Sequence, residues 1–110
     1  MASKIKSVTY NGQTYTKDSI KEKLTTDNRW LQRAILAIYA GQTSQEQNSG
    51  ETVEDNGIGF SGADSYVMSI YAKMIMKGQP LYAGQLAKAR KTMPKYAGQL
   101  LGIISEKSHT

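Results

Sequence analysis

"IKSVTYNGQTYT", residues 5–16, decides how the chain begins. β-Branched and aromatic residues flank Asn11-Gly12, the pair that most readily takes the two positive φ angles of a type I′ turn, so the stretch is expected to form a β-hairpin. The residues after it read as helix. Lys17 to Leu24 makes a short segment with Ile20 and Leu24 one turn apart. Asp27 then stands ready to cap a longer helix, Asn28 to Ala40, with Leu31, Ile35 and Ile38 on one stripe and Trp30, Ala34 and Ala37 beside it. Arg29 and Arg33 fall on its solvent side.

From Gln42 to Asn56 the one aliphatic residue is Val53, which predicts a loop with at most a turn of helix at Thr43–Gln47. Ser61, with Asp64 three positions on, opens the next helix as a variant capping box, and this helix is expected to reach Lys77. Its polar row is Ser65, Ser69, Lys73 and Lys77. Tyr66, Val67, Ile70, Tyr71, Met74 and Ile75 are left for the core, and Met68, Ala72 and Met76 widen the apolar surface, as in a central helix covered on most sides. A further helix starts near Leu81, with Pro80 in its first turn. Pro94 ends it and starts the last one, to about Ser105, which turns Tyr96, Leu100, Ile103 and Ile104 inward.

These readings sum to a single α+β domain, mainly α: a hairpin at 1–16, helices at 17–41, a polar and glycine-rich loop at 42–60, a helical core at 61–105 and a tail at 106–110. The expected fold is an N-terminal β-hairpin followed by a compact bundle of four to five helices. A chain of 110 residues suffices, since it buries roughly two thirds of the surface that its unfolded form exposes.

Composition excludes several chemistries. Without cysteine there is no disulfide, thiolate or cysteine-ligated metal, and the lone histidine, His109, sits in a polar tail. The first residues show no apolar run of a signal peptide, and no stretch approaches the ~18 residues of a spanning helix. The expectation is a cytoplasmic protein with no membrane partner, no metal and no cofactor.

Charge is unevenly spread. The net charge is +5, with six basic and three acidic groups in residues 1–30, one and five in 31–64, and seven and one in 65–110. A basic chain of this kind favours a polyanionic partner. Lys88 and Lys91 lie three apart on one predicted helix, Arg90 is adjacent and Lys95 follows Pro94, with Arg29 and Arg33 as candidates to extend the patch. Such cations suit successive phosphates, and Tyr82 and Tyr96 add base stacking where they are exposed. The opposing reading makes the lysines a solubilising coat and the tyrosines core.

"GIGFSG", Gly57 to Gly62, matches G-x-G-x-x-G and precedes a helix, but no apolar strand leads into it and no βαβ unit comes after it, so it is not a dinucleotide fingerprint. Its freed amides would attract an anion, which Glu54, Asp55 and Asp64 would repel. The plainer expectation is a sharp turn that buries Phe60. Glu51, Glu54 and Asp55 lack the EF-hand spacing and read as a solvated loop. Asp64 has no partner visible in the sequence, and no nucleophile–base pair is present, so no catalytic residue is assigned and no enzyme is expected.

"YAGQ" occurs at Tyr39–Gln42, Tyr82–Gln85 and Tyr96–Gln99, at spacings of 43 and 14 residues. The first copy is read as ending a helix, the second as beginning one and the third as lying inside one. Unequal spacing and unequal context argue for shared packing rather than a functional repeat.

Taken together, "NRWLQRAILAIYAGQTSQEQ", "NGIGFSGAD" and "GQPLYAGQLAKARKTMPKYAGQLL" resemble a poorly characterised set of small bacteriophage and mobile-element proteins, and are similar to segments that accompany helicase-like proteins. The most specific part is Lys95-Tyr96-x-x-Gln99-Leu100 combined with Gly59-Phe60-x-x-x-Asp64. The resemblance implies a phage or prokaryotic origin, the host cytoplasm, and a role in DNA metabolism or host takeover. It supplies no catalytic residue and leaves the hairpin outside. The leading expectation is a non-enzymatic, phage-type accessory protein that binds DNA or RNA through Arg29, Arg33, Lys88, Arg90, Lys91 and Lys95. The alternative is an inhibitor that docks on a host protein, an enzyme or defence complex, through the hairpin edge or the acidic loop.

Overall fold

A computed structural model of the protein describes residues 7–47 and 59–108. Strands β1 (Ser7–Tyr10) and β2 (Gln13–Thr16) pair antiparallel with Val8 opposite Tyr15 and Tyr10 opposite Gln13. Asn11 and Gly12 take φ of 55° and 77°, the two positive angles that the sequence demands of its turn. Directly paired residues share a face, so Val8, Tyr10, Gln13 and Tyr15 lie on one side of the hairpin and Ser7, Thr9, Thr14 and Thr16 on the other.

Thr16 ends β2 and caps the first helix, α1 (Lys17–Thr26). Its hydroxyl accepts from the Ser19 amide at 3.1 Å while the Ser19 hydroxyl accepts from the Thr16 amide at 2.9 Å, so two donors at the helix start find acceptors. Ile20 and Leu24 are buried as their spacing requires. Asp27 closes α1 and opens α2 (Asn28–Gln47): its own amide donates to the Lys23 carbonyl, and its carboxylate accepts from the amides of Arg29 at 3.0 Å and Trp30 at 3.1 Å. Leu31, Ala34, Ile35 and Ile38 form the buried stripe of α2.

Helix α2 runs on through Gly41 to Gln47, so the first "YAGQ" lies inside a helix and the expected loop at 42 starts later. No proline stops the chain there, and Gln42 is fastened by its side-chain amide to Ser69 and Phe60, which offsets the roughly 1 kcal/mol that a mid-helix glycine costs. The remainder of that loop, with Glu51, Glu54 and Asp55, lies outside the described residues.

Next in the chain come helix α3 (Gly62–Met76), α4 (Ala83–Thr92), a 3₁₀ turn (Met93–Tyr96) and α5 (Ala97–Ser108). Among the described residues the fold is thus a hairpin with five α-helices, α+β and mainly α. Pro80 belongs to the connection before α4 rather than to its first turn; the helix begins only after Tyr82, whose amide donates to the Gln85 side chain at 2.8 Å. Pro94 occupies the 3₁₀ turn, so α4 and α5 are separated by it and the third "YAGQ" spans a helix start.

Helix α3 is covered on one face, not on most sides. Met68, Tyr71 and Ala72 are buried, whereas Tyr66, Ile70 and Met76, expected in the core or at its border, are exposed. The polar row misled because residues four apart drift by about 40° per step on a 3.6-residue helix. Ser65 and Ser69 are therefore half-buried, Ser69 against Gln42 of α2, while Lys73 and Lys77 reach the outer side. The core is completed by Ile20, Leu24, Met93 and Leu101, with β1 laid against α5 and α1 between α2 and α5. No described helix is long and apolar enough to cross a membrane.

Candidate functional site

Two constellations stand out, and one of them unites the sequence motifs. Gly59, Phe60 and Ser61 enter α3 with all three backbone amides taken by side chains from other helices. The Gly59 amide donates to Gln99 Oε1 at 3.0 Å, the Phe60 amide to Gln42 Oε1 at 3.0 Å and the Ser61 amide to the Tyr96 hydroxyl at 2.9 Å. Gln99 also donates its amide to the Gly59 carbonyl at 3.2 Å. Gly59–Ser61 is thus a clamped turn, and these three amides are not free to cradle a phosphate. Phe60 is buried as expected, its ring edge-on to Tyr96 with centroids 5.4 Å apart. Gly59 has φ of 154°, and a Cβ there would lie 3.5 Å from Gln42 Cβ, so glycine is required by backbone conformation.

Asp64 is not alone. Its Oδ2 receives Lys95 Nζ at 2.6 Å, the Tyr96 hydroxyl at 2.7 Å and the Ser61 hydroxyl at 3.2 Å. Ser61 therefore precedes α3 without capping it through its hydroxyl, which goes to the carboxylate instead of a backbone amide. The Lys95 ammonium, then the Tyr96 hydroxyl, hold the Asp64 carboxyl below the usual carboxylate range against the opposing effect of burial, and Asp64 raises Lys95 in turn. An ionised acid matched to a protonated amine exchanges no proton near neutral pH. The chemistry of this constellation is fastening: it ties α3 to the 3₁₀ turn and α5. Gly59, Phe60, Asp64, Lys95, Tyr96 and Gln99, drawn from two separate motifs of the sequence, thus meet in one place.

The predicted basic residues separate into groups. Arg29 and Arg33 are exposed on α2, and Lys88 and Lys91 on the outer side of α4. Arg90 is half-buried and donates from Nη2 to Asn28 Oδ1 at 2.6 Å, which brings the basic end of α4 to the start of α2, next to Arg29. Lys95 is turned toward Asp64, its charge already matched. Tyr82 is 71% exposed and open to stacking, but Tyr96 is only 5% exposed with its hydroxyl engaged, so it is core and not a stacking platform.

The second constellation is a groove of about 220 Å³ between the hairpin, α2 and α5. Tyr10, Tyr15 and Trp30 make its aromatic wall, Ile103 and Ile104 part of its aliphatic floor, and Arg33 and Lys107 bring cations to it. Tyr15 and Trp30 stack with centroids 6.4 Å apart and ring planes at 29°. No protein-family model, curated protein or solved structure matches the chain.

Sequence reading missed this groove, having placed Trp30 beside the core stripe and the tyrosines only in strands. A signal was present: a two-residue turn fixes the register, and the register puts Tyr10 and Tyr15 on the same face as Val8. What the sequence does not state is that this face meets α5 and the start of α2. Among the described residues no group of three or more acidic or histidine side chains is arranged to hold a metal ion.

Proposed function

We propose that the protein binds single-stranded nucleic acid, with bases stacked in the groove against Tyr10, Tyr15 and Trp30 and the backbone running over Arg33 and Arg29 toward Arg90, Lys91 and Lys88. The observation that carries this reading is the aromatic wall opening beside Arg33, because a ring face next to a guanidinium suits a base and its phosphate together. The Arg90–Asn28 hydrogen bond supports a continuous path, since it lays the cations of α4 beside Arg29. A net charge of +5 acts in the same direction. Lys95 is left out of the path, its charge being spent on Asp64. The motif resemblance supports placing this activity in a non-enzymatic accessory protein of a phage or mobile element, at work in the host cytoplasm.

The test is fluorescence anisotropy of labelled single-stranded DNA, single-stranded RNA and duplex DNA at about 50 and 200 mM salt, with the emission of Trp30, the sole tryptophan, read in parallel. Binding should quench Trp30 and favour single strands. The double variant Arg29→Ala/Arg33→Ala keeps the fold, both side chains being exposed, and should lower the salt slope by about 0.7 for each phosphate that is no longer neutralised. Absence of binding at the lower salt, or affinity that the double variant leaves untouched, would refute the proposal.

A further inference from the structure

The large apolar side chains that stand exposed among the described residues are confined to one segment: Tyr66 at 77%, Ile70 at 40%, Met76 at 65% and Tyr82 at 71%. Tyr66, Ile70, Lys73 and Lys77 recur at intervals of four, three and four, which makes a straight ridge about 16 Å long on the side of α3 away from Met68, Tyr71 and Ala72. Met76 lies about a quarter turn from this ridge, on the flank of α3 that carries Ser69, and Tyr82 precedes α4. Exposed apolar residues scattered singly need no explanation, but Tyr66 and Ile70, one turn apart on the same ridge with Met76 on its flank, do.

The charge that the ridge itself carries is of one sign. Lys73 and Lys77 are exposed on the ridge, and the sequence holds no acidic residue from 65 to 105. Asp64, just before the ridge, is committed to Lys95. We infer that the outer face of α3 docks an acidic amphipathic helix of a partner protein, whose aliphatic side chains pack on Tyr66, Ile70 and Met76 while its carboxylates reach Lys73 and Lys77. A second copy of this chain is disfavoured. An antiparallel pairing of two such ridges would set each Lys77 over the other copy's Tyr66 end and bring the two Lys73 ammonium groups together near the centre, between molecules that each carry +5. A lipid surface is disfavoured too, because the opposite side of α3 is held in the core and the ridge interleaves lysine with tyrosine and isoleucine, without the Trp, Phe and Leu face of a membrane-seeking helix. This surface is independent of the nucleic-acid groove, which lies between the hairpin, α2 and α5.

The probe is a synthetic helical peptide with leucines along one face flanked by glutamates, set against the same peptide with lysines in their place. Chemical shifts of the Met76 and Ile70 methyl groups report its seating. The glutamate peptide should bind and move both methyls, and the lysine peptide should not. Ile70→Asp, a change at an exposed site that leaves thermal unfolding in place, should weaken binding at least tenfold, and Lys73→Glu/Lys77→Glu should reverse the preference toward the lysine peptide. Failure of the glutamate peptide to bind, or equal binding of both peptides, overturns the inference. So does a dimer seen by light scattering that Ile70→Asp abolishes, which would give the ridge to a second copy. Movement of the same methyls on phosphatidylserine vesicles without movement on the peptide would give it to a membrane and overturn the inference as well.

Discussion

Tyr96 and Asp64, 32 residues apart in sequence, are joined by a 2.7 Å hydrogen bond in which the phenol donates to the carboxylate, while the same phenol oxygen accepts from the Ser61 amide. One hydroxyl therefore satisfies a part-buried turn and an ionised acid together. Tyr96→Phe keeps the ring against Phe60 but leaves the Ser61 amide without its acceptor and the carboxylate without a donor. The expected loss is about 2 kcal/mol, or roughly 10 °C in Tm, measured by urea and thermal unfolding. A loss within experimental error would mean that water replaces the hydroxyl.

The Asp64–Lys95 pair sets the pH response. The folded-state pKa of Asp64 lies below its ordinary 3.8, so its contribution is complete above pH 3.8 and is lost as pH falls through the folded value. Lys95 is raised above 10.5, so its contribution is present below pH 10.5 and lost as pH rises through the folded value. Asp64→Asn should flatten the acid arm of a plot of urea midpoint against pH. Because the Lys95 side chain is 55% exposed, added salt should shrink the difference between the two proteins at neutral pH.

Gln99 holds both backbone groups of Gly59, whereas Gln42 holds the amide of Phe60. Gln99→Ala should speed hydrogen exchange at Gly59 by about tenfold, equivalent to about 1.4 kcal/mol, with a smaller change at Phe60. Uniform acceleration across all helices would instead indicate global destabilisation.

Lys95 and the exposed lysines of α4 should separate in their effects. Lys95→Ala is expected to reduce stability and leave the salt slope of nucleic-acid binding intact, since its charge is matched by Asp64. Lys88→Ala/Lys91→Ala should do the reverse: stability stays within about 0.5 kcal/mol of the parent while the salt slope falls. Equal loss of affinity in both variants would return Lys95 to the binding path.

Local signals carried most of the fold. Asn11-Gly12, the Asp27 cap, the Ile20/Leu24 pair and the Leu31/Ile35/Ile38 stripe were legible because each rests on neighbours within a turn or two. The outer face of α3 was not, because its composition is apolar nearly all round and only the positions of α2 and α4 decide which side is covered. Similarly, the glutamines of the "YAGQ" copies look alike in sequence. Yet Gln42 and Gln99 grip the same turn from two helices, while Gln85 serves its own helix start. The basic residues were visible, but which of them were already partnered depended on Asn28 and Asp64, distant in the chain.

Tyr10 and Ile104 line the same groove although they stand far apart in sequence, with β1 resting on α5. During synthesis the hairpin emerges long before its partner helix, so its apolar face must wait, uncovered, until Leu100 to Ile104 have been made. The groove therefore closes only once α5 has been made. A ribosome-tethered chain cut short before α5 would carry the aromatic wall without the Leu100, Ile103 and Ile104 side of the groove.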